Sequence, residues 1–203
     1  MAMTRLLEIE LDPAVLRAAQ AGDSRARAEL YRAFSRATYA LIRRLIPRQA
    51  VADDLFQDTF VEVLQSLHAF RGEAPLGAWI RRVAVSKCLM HLRSPWHRSL
   101  LWLDQLAGED ANPGASVLPV GGMETDAALQ IDLEGALAHL PGQSRAVVWL
   151  YDVEGYTHEE IAALFGKSVS FSKSQLMRAH LKLRELLGAK RENTVCMPVS
   201  SNF

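Results

Sequence analysis

Apolar residues recur at three- and four-residue intervals over most of this chain, and that spacing restricts it to helices. One such row runs through Leu30, Phe34, Ala37, Leu41 and Leu45, and similar rows continue through the last third of the chain. Residues at these intervals share one face of an α-helix. No stretch alternates apolar and polar residues as a half-buried strand would. The spacing therefore predicts an all-α fold, and 49% hydrophobic residues are enough to fill its core.

The helical pattern is interrupted by a segment rich in proline and glycine at 94–125. Residues 94–128 hold five acidic residues and one basic residue, whereas residues 1–93 hold fourteen basic and ten acidic residues. This composition is typical of a flexible linker. We therefore expect two small helical domains, at 1–93 and 126–188, joined by a flexible acidic linker and followed by a tail at 189–203.

Composition and motifs argue against several classes of protein. Cys88 and Cys196 are too few for a disulfide framework or a four-thiolate zinc site. The six histidines are not spaced as metal ligands, and no phosphate-binding loop or dinucleotide fingerprint occurs. We therefore expect no catalytic residues, no metal, no cofactor and no enzyme activity. No run approaches about 18 apolar residues and no signal-peptide pattern opens the chain, so we expect a cytoplasmic protein without a membrane span.

The strongest local pattern is a helix-turn-helix near the C-terminus. Thr157 and Glu160 have the spacing of a capping box at the start of a short helix, and Gly166 suits the turn that ends it. Ser168 or Ser170 can then cap a second helix. Two helices joined by so short a turn are typical of DNA-binding proteins, in which the second helix enters the major groove.

The second of these helices has one apolar face and one basic face. Between Lys167 and Arg184 the sequence contains five lysines or arginines and no acidic residue. Such a face can neutralise phosphates and hold short polar side chains against base edges. A solvated basic helix in an ordinary bundle has the same pattern, so the residues alone leave both interpretations open. The apolar face is expected to comprise Val169, Ser172, Leu176, Ala179, Leu183 and Leu187.

Two stretches resemble bacterial RNA polymerase sigma factors of the extracytoplasmic-function (ECF) group. The stretch EEIAALFGKSVSFSKSQLMRAHLKLRELL resembles the helix-turn-helix of the family's region 4, and residues 18–93 resemble its region 2. The resemblance implies that the second helix reads the minus-35 promoter element. The family usually has other residues at Phe171, Ser172 and Gln175, which affects the expected base preference. The residues assigned to minus-35 DNA are Ser170, Phe171, Lys173, Ser174, Gln175, Met177, Arg178 and Lys182.

An acidic stripe lies on the helix expected near 53–67. Asp54, Asp58 and Glu62 recur at i, i+4 and i+8, and Val61 lies within the same stripe. Like charges at this spacing destabilise a helix slightly, which favours an interface with a basic partner, although a solvated face also fits. The resemblance implies that this helix binds the clamp helices of the polymerase β′ subunit. The residues assigned to that surface are Asp53, Asp54, Gln57, Asp58, Val61 and Glu62.

The stretch FRGEAPLGAW, at 70–79, resembles the loop that captures a flipped base of the minus-10 element. Gly72 and Pro75 suit a loop of fixed shape, which can surround a single unstacked base. Trp79 is expected to pack in the core, and a plain surface role is the alternative for the basic residues. The residues assigned to minus-10 DNA are Phe70, Arg71, Gly72, Glu73, Ala74, Arg81, Arg82, Lys87 and Arg93.

The resemblance as a whole implies an alternative sigma factor that binds core RNA polymerase and promoter DNA and promotes melting. It implies contacts with the β′ clamp helices and the β flap, and control in trans by an anti-sigma factor. It also implies that the acidic residues of the linker and its C-terminal border (Asp104, Glu109, Asp110, Glu124 and Asp126) occupy a nucleic-acid path, and a plain solubilising linker is the alternative. The alternative is a stand-alone helix-turn-helix regulator, in which a docking helix followed by a base-capture loop has no obvious use.

Overall fold

The computed structural model describes residues 5–94 and 133–195, with side chains from Leu6 and up to Leu187. Helices make up about four-fifths of these residues, and neither range contains a strand. The predicted all-α class is therefore confirmed. The expected linker, apart from Ser94, lies outside the described residues, as do its acidic side chains. The last helix continues to Val195, past the position where the tail was expected to begin.

The N-terminal module consists of four α-helices and two short 3-10 turns. The first turn spans Arg5–Glu8, and it is followed by α1 (Pro13–Gln20), α2 (Ser24–Leu45), α3 (Gln49–Ser66), a 3-10 turn (Leu67–Ala69) and α4 (Leu76–Arg93). Asp12 and Asp23 cap the first two helices, because their carboxylates accept hydrogen bonds from backbone N–H groups at 2.7 Å. Pro47 follows the end of α2 and disfavours helical backbone at Ile46, which is extended.

The predicted apolar row of α2 forms the centre of this module's core. Leu30, Phe34, Leu41 and Leu45 are fully buried, and Ala37 is half-buried. Burying each of the large side chains stabilises the fold by about 1.5–3 kcal/mol. The other helices contribute Phe60, Val63, Ile80, Ala84 and Leu89 to the same core. Amphipathic helices thus close around one another, and their polar faces remain outside.

The C-terminal module contains the predicted helix-turn-helix. Residues 133–138 are helical, and α5 (Gly142–Val148) continues into a π-turn at Trp149–Val153. The helix-turn-helix itself is α6 (His158–Phe165) and α7 (Val169–Val195).

Local hydrogen bonds define the turn of the helix-turn-helix. Both hydrogen bonds of the Thr157–Glu160 capping box are present, and Gly166 is left-handed, with φ of 60°. Ser168, rather than Ser170, provides the cap, because its Oγ accepts a hydrogen bond from the Phe171 N–H at 3.3 Å. The inner face of α7 is as predicted, because Ser172, Leu176, Ala179 and Leu183 are buried.

The two modules pack against each other across α2 and α4. Arg145 is only 8% exposed, and its guanidinium donates to the Leu45 carbonyl at the end of α2. Arg44 lies over the Trp149 ring at 4.9 Å, and the Gln143 amide donates to the Leu92 carbonyl. The buried apolar residues of both modules belong to one continuous hydrophobic core within the described residues. Among the helices of the described ranges, none combines the length and apolarity needed to cross a membrane.

Candidate functional site

The acidic residues of α3 lie on a face that the module leaves open. Asp54, Gln57 and Asp58 are exposed, and Val61 is 52% exposed beside them. Asp53 points partly inward, and its carboxylate accepts a hydrogen bond from the Tyr39 hydroxyl at 2.7 Å. That bond raises the pKa of Tyr39 above its ordinary value. Acidic groups with an apolar residue among them form a surface suited to a basic partner.

An aromatic cluster fixes the helix behind this acidic face. Phe56 and Phe60 lie on the inner side of α3, with ring centroids 5.1 Å apart. Tyr31 and Tyr39 of α2 meet them edge-on, at 4.8 Å from Phe60 and 5.4 Å from Phe56. Edge-on contacts of this kind each stabilise by about 0.5–1.5 kcal/mol beyond area burial. The acidic face is therefore held on a rigid support.

The predicted base-capture loop projects from the same module. Residues 71–75 are all exposed, and Gly72 has φ of 74°, a left-handed conformation that glycine adopts without strain. Phe70 is half-buried and lies 5.3 Å from Trp79 between ring centroids. Trp79 packs against the core, as predicted. The loop thus exposes its backbone and the side chains of residues 71–75 to solvent, whereas Phe70 is partly buried beneath it.

The basic residues of α4 differ in what they contact. Arg82 is exposed, whereas the Lys87 ammonium pairs with the Glu62 carboxylate at 2.7 Å. Arg93 is exposed but donates to the Leu164 carbonyl of α6 at 3.2 Å. Arg81 turns toward the C-terminal module. The sequence predicts these basic residues as candidate phosphate contacts, but it does not reveal which of them have intramolecular partners.

Arg81 meets a buried carboxylate that the sequence analysis did not single out. Its guanidinium donates to the Glu154 side chain at 3.4 Å and to the Glu154 carbonyl at 3.2 Å, and it lies 4.8 Å from the Tyr156 ring. Glu154 is 3% exposed and also accepts a hydrogen bond from the Trp149 indole. Burial raises the pKa of Glu154, while Trp149 and Arg81 oppose that rise. The available signal was a glutamate close after the apolar run 146–151.

Arg145 is a second functional candidate that sequence reasoning missed. Burial lowers the pKa of its guanidinium to about 10, because a cation loses water there. Its hydrogen bond to the Leu45 carbonyl uses the C-terminal end of α2, where the helix dipole favours positive charge. An arginine among apolar residues of a short helix was the only signal in the sequence.

The outer face of α7 carries the residues expected at the minus-35 element. Ser170, Lys173, Met177, Arg178 and Lys182 are exposed, whereas Ser174 is half-buried. Two further residues are partly engaged. Phe171 is half-buried against Phe165, with centroids 5.5 Å apart, and the Gln175 amide oxygen accepts a hydrogen bond from Ser144 Oγ at 2.7 Å. Phe171 therefore lies further inward than the outer face expected for it.

Comparison with protein families gives two matches, in the order of the two modules. The Sigma-70 region 2 model matches residues 30–98, and the Sigma-70 region 4 model matches residues 130–183. A polymerase-binding region followed by a promoter-reading helix-turn-helix defines the sigma-70 class of transcription initiation proteins.

Individual relatives show to which group of sigma factors the chain belongs. The chain is 33% identical over 148 residues to the RNA polymerase sigma factor CarQ of Myxococcus xanthus, covering 72% of this chain and 80% of that one. It is 29% identical over 177 residues to the ECF RNA polymerase sigma factor SigM of Mycobacterium tuberculosis, covering 87% and 85%. The chain belongs to the ECF group of RNA polymerase sigma factors.

A solved structure agrees at the level of the fold. The sigma factor RpoE of Bartonella quintana, in complex with the anti-sigma factor NepR, superposes with a TM-score of 0.54 and 23% identity. The match covers 79% of this chain and 96% of that one. The solved structure thus shows that the chain has the same helical fold. The family matches and the relatives identify it as an alternative sigma factor that acts in transcription initiation.

Proposed function

We propose that the acidic face of α3 is the surface that binds core RNA polymerase. The supporting observation is the exposure of Asp54, Asp58 and Val61 on a helix fixed from behind by aromatic rings. A rigid surface loses little conformational entropy on binding, and exposed carboxylates attract basic helices. The contact surface would comprise Asp53, Asp54, Gln57, Asp58, Val61 and Glu62, with Asp53 tied to Tyr39.

The exposed loop 71–75 then lies on the same module as the docking helix and would capture a minus-10 base. Arg71 and Arg82 are exposed and have the charge needed to contact phosphates. Backbone groups around Gly72, Glu73 and Ala74 would surround the unstacked base, which costs a few kcal/mol to expose. Phe70 would act from beneath the loop, because it packs on Trp79.

The outer face of α7 would read the minus-35 element in the major groove. Lys173, Arg178 and Lys182 supply positive charge, and Ser170, Ser174 and Met177 are the shorter or apolar side chains between them. Gln175 could pair with adenine, and its amide oxygen also accepts a hydrogen bond from Ser144. The first three side chains support affinity, and the polar ones support base choice.

Promoter binding would require the two modules to separate. Arg81 cannot contact a phosphate while it lies between Glu154 and Tyr156, and Arg93 is held at Leu164. Separation would free both arginines and solvate Arg145. We expect fluorescence transfer between labels at exposed positions 36 and 184 to fall when core polymerase and promoter are added.

Control in trans by an anti-sigma factor is part of the proposal. The B. quintana RpoE structure contains an anti-sigma factor bound to a protein of this fold. A partner that covered the acidic face of α3 would exclude the polymerase from it. We expect such a partner to carry basic residues opposite Asp54 and Asp58.

Run-off transcription with core polymerase and a pool of bacterial promoter fragments tests the proposal. We expect transcripts from a discrete set of promoters, and their loss in Asp58→Arg. The matched control is Glu29→Arg, which reverses an exposed charge on α2, away from the proposed surface. Sequence-specific binding of duplex DNA without polymerase, and no transcripts, would instead support a stand-alone regulator.

A further inference from the structure

The segment before the region 2 match contacts the base-capture loop at its start. Gln20, the last residue of α1, directs its side-chain amide at two backbone carbonyls. Its Nε2 donates to the Leu67 carbonyl at 3.2 Å and to the Phe70 carbonyl at 2.9 Å. These carbonyls flank the 3-10 turn that leads into the exposed residues 71–75. The Gln20 side chain thus fixes the backbone at the point where the loop leaves the core.

Neighbouring groups fix the end of α1, from which the Gln20 side chain extends. The Arg27 guanidinium of α2 donates to the Ala19 carbonyl at 3.2 Å and so fixes the end of α1. Ala19 is fully buried, and Gly22 turns the chain with φ of 99° before Asp23 caps α2. The end of α1 is therefore a constrained point from which a short side chain can position another segment.

The loop is also contacted where it re-enters the core. Gly77, in the first turn of α4, packs directly under the N-terminal 3-10 turn, Arg5–Glu8. A Cβ at this position would be 1.7 Å from the Leu6 carbonyl oxygen, so only glycine allows the approach. Leu6 is fully buried there. Both ends of the loop are thus in contact with residues 6–20.

We propose that Leu6 and Gln20 form a brace that positions the exposed loop 71–75, with Gln20 as a positioning residue for minus-10 base capture. The inference rests on the proposed function of that loop. The loop itself is exposed throughout, so contacts at its two ends are the means by which the described fold can fix its shape. A loop fixed before binding loses less entropy when it closes around a base.

Two substitutions of Gln20 separate a hydrogen-bonding role from a packing role. Gln20→Met keeps the length and removes both donors, while Gln20→Glu puts a carboxylate against two carbonyl oxygens. The matched control is Gln49→Met, at the exposed start of α3. If the hydrogen bonds hold the loop, protection from exchange and preference for the minus-10 base both fall in the order Gln, Met, Glu at position 20. A packing role predicts similar values with Gln, Met or Glu at that position.

The first readout is amide hydrogen exchange in the free full-length protein, which does not depend on any promoter. We expect Gln20→Met to speed exchange in peptides covering 68–76 by about three- to tenfold at the protected amides of the 3-10 turn, such as the Phe70 N–H bonded to the Leu67 carbonyl. The reason is that two hydrogen bonds of modest net strength are lost. Peptides covering 53–63 serve as the internal control and should not change. Unchanged exchange in 68–76 would overturn the brace.

The second readout is base capture by the holoenzyme on a promoter found in the run-off assay. Templates carrying either the normal base or an abasic site at the captured minus-10 position are compared. We expect Gln20→Met to reduce the preference for the normal base by about three- to tenfold, with holoenzyme formation within about twofold of wild type. Loss of holoenzyme formation instead would indicate a merely structural role and overturn the positioning assignment.

The two proposals fail in different ways. If the wild-type protein gives no transcripts with core polymerase, the proposed function fails, and hydrogen exchange still decides whether the brace exists. If the wild type transcribes and Gln20→Met retains full base preference, the brace has no role in capture. Gly77→Ala provides a second variant, and it should speed exchange at 68–76 from the other end.

Discussion

The acidic face of α3 and the cationic face of α4 differ in how many of their charged groups already have partners within the protein. Asp54 and Asp58 are exposed on a rigid helix. By contrast, Arg81 faces Glu154, Lys87 pairs with Glu62, and Arg93 donates to α6. Most of the proposed polymerase-binding surface is thus accessible in this conformation, with Glu62 paired to Lys87 and Asp53 bonded to Tyr39. Part of the proposed DNA-binding surface, by contrast, must first be released. The difference suggests an order, with polymerase binding before promoter binding.

The largest effect is expected on the DNA side, at a cation that is already exposed. Arg178→Glu should weaken promoter binding by the holoenzyme about 10- to 100-fold, because an arginine contact to DNA contributes about 1–3 kcal/mol. Affinity for core polymerase should remain unchanged. Fluorescence anisotropy with labelled promoter measures the first quantity, and labelled core polymerase measures the second. Arg36→Glu, on the exposed face of α2, is the matched reversal. If Arg178→Glu weakened promoter binding and core-polymerase binding equally, the proposed separation of DNA-binding and polymerase-binding surfaces would be wrong.

A smaller effect tests whether an intramolecular partner weakens a polymerase contact. Asp58→Asn should lower affinity for core polymerase about five- to tenfold, whereas Glu62→Gln should lower it only about twofold. The reason is that Lys87 already neutralises Glu62 at 2.7 Å, and an exposed pair of this kind contributes little net stability. Titration of labelled core polymerase at two salt concentrations gives both values. A larger loss of polymerase affinity in Glu62→Gln than in Asp58→Asn would contradict the expectation that a charge paired within the protein contributes less to binding.

The smallest effect is a pH dependence at the contact between the modules. The pKa of Glu154 is raised in the folded protein, so the folded state favours the neutral carboxyl. Its contribution to stability is fully present below the ordinary glutamate pKa and is lost as the pH rises through the raised value. Wild type should therefore lose stability relative to Glu154→Gln as the pH rises from 4 to 7. Urea unfolding of both proteins measures this, and parallel pH profiles would refute it.

Much of the local structure follows from short-range patterns. The apolar row of α2, the capping box before α6 and the inner face of α7 depend on spacing within one helix, and all three are present. The choice between Ser168 and Ser170 as a cap depends on the exact turn, and both residues fit the pattern. The inward position of Phe171 depends on Phe165 of the preceding helix. Spacing along one helix does not specify how two helices meet.

The sequence by itself determined the helices, the two charged faces and the loop between them, because each depends on residues close together in the chain. Tertiary structure decided which charges have partners. Arg145 reaches the carbonyl of Leu45, one hundred residues away, and Arg81 reaches Glu154 across 73 residues. Gln20 reaches the Phe70 carbonyl across 50 residues. Contacts at such separations arise only when packed helices bring distant backbone and side-chain groups together, so no local pattern records them.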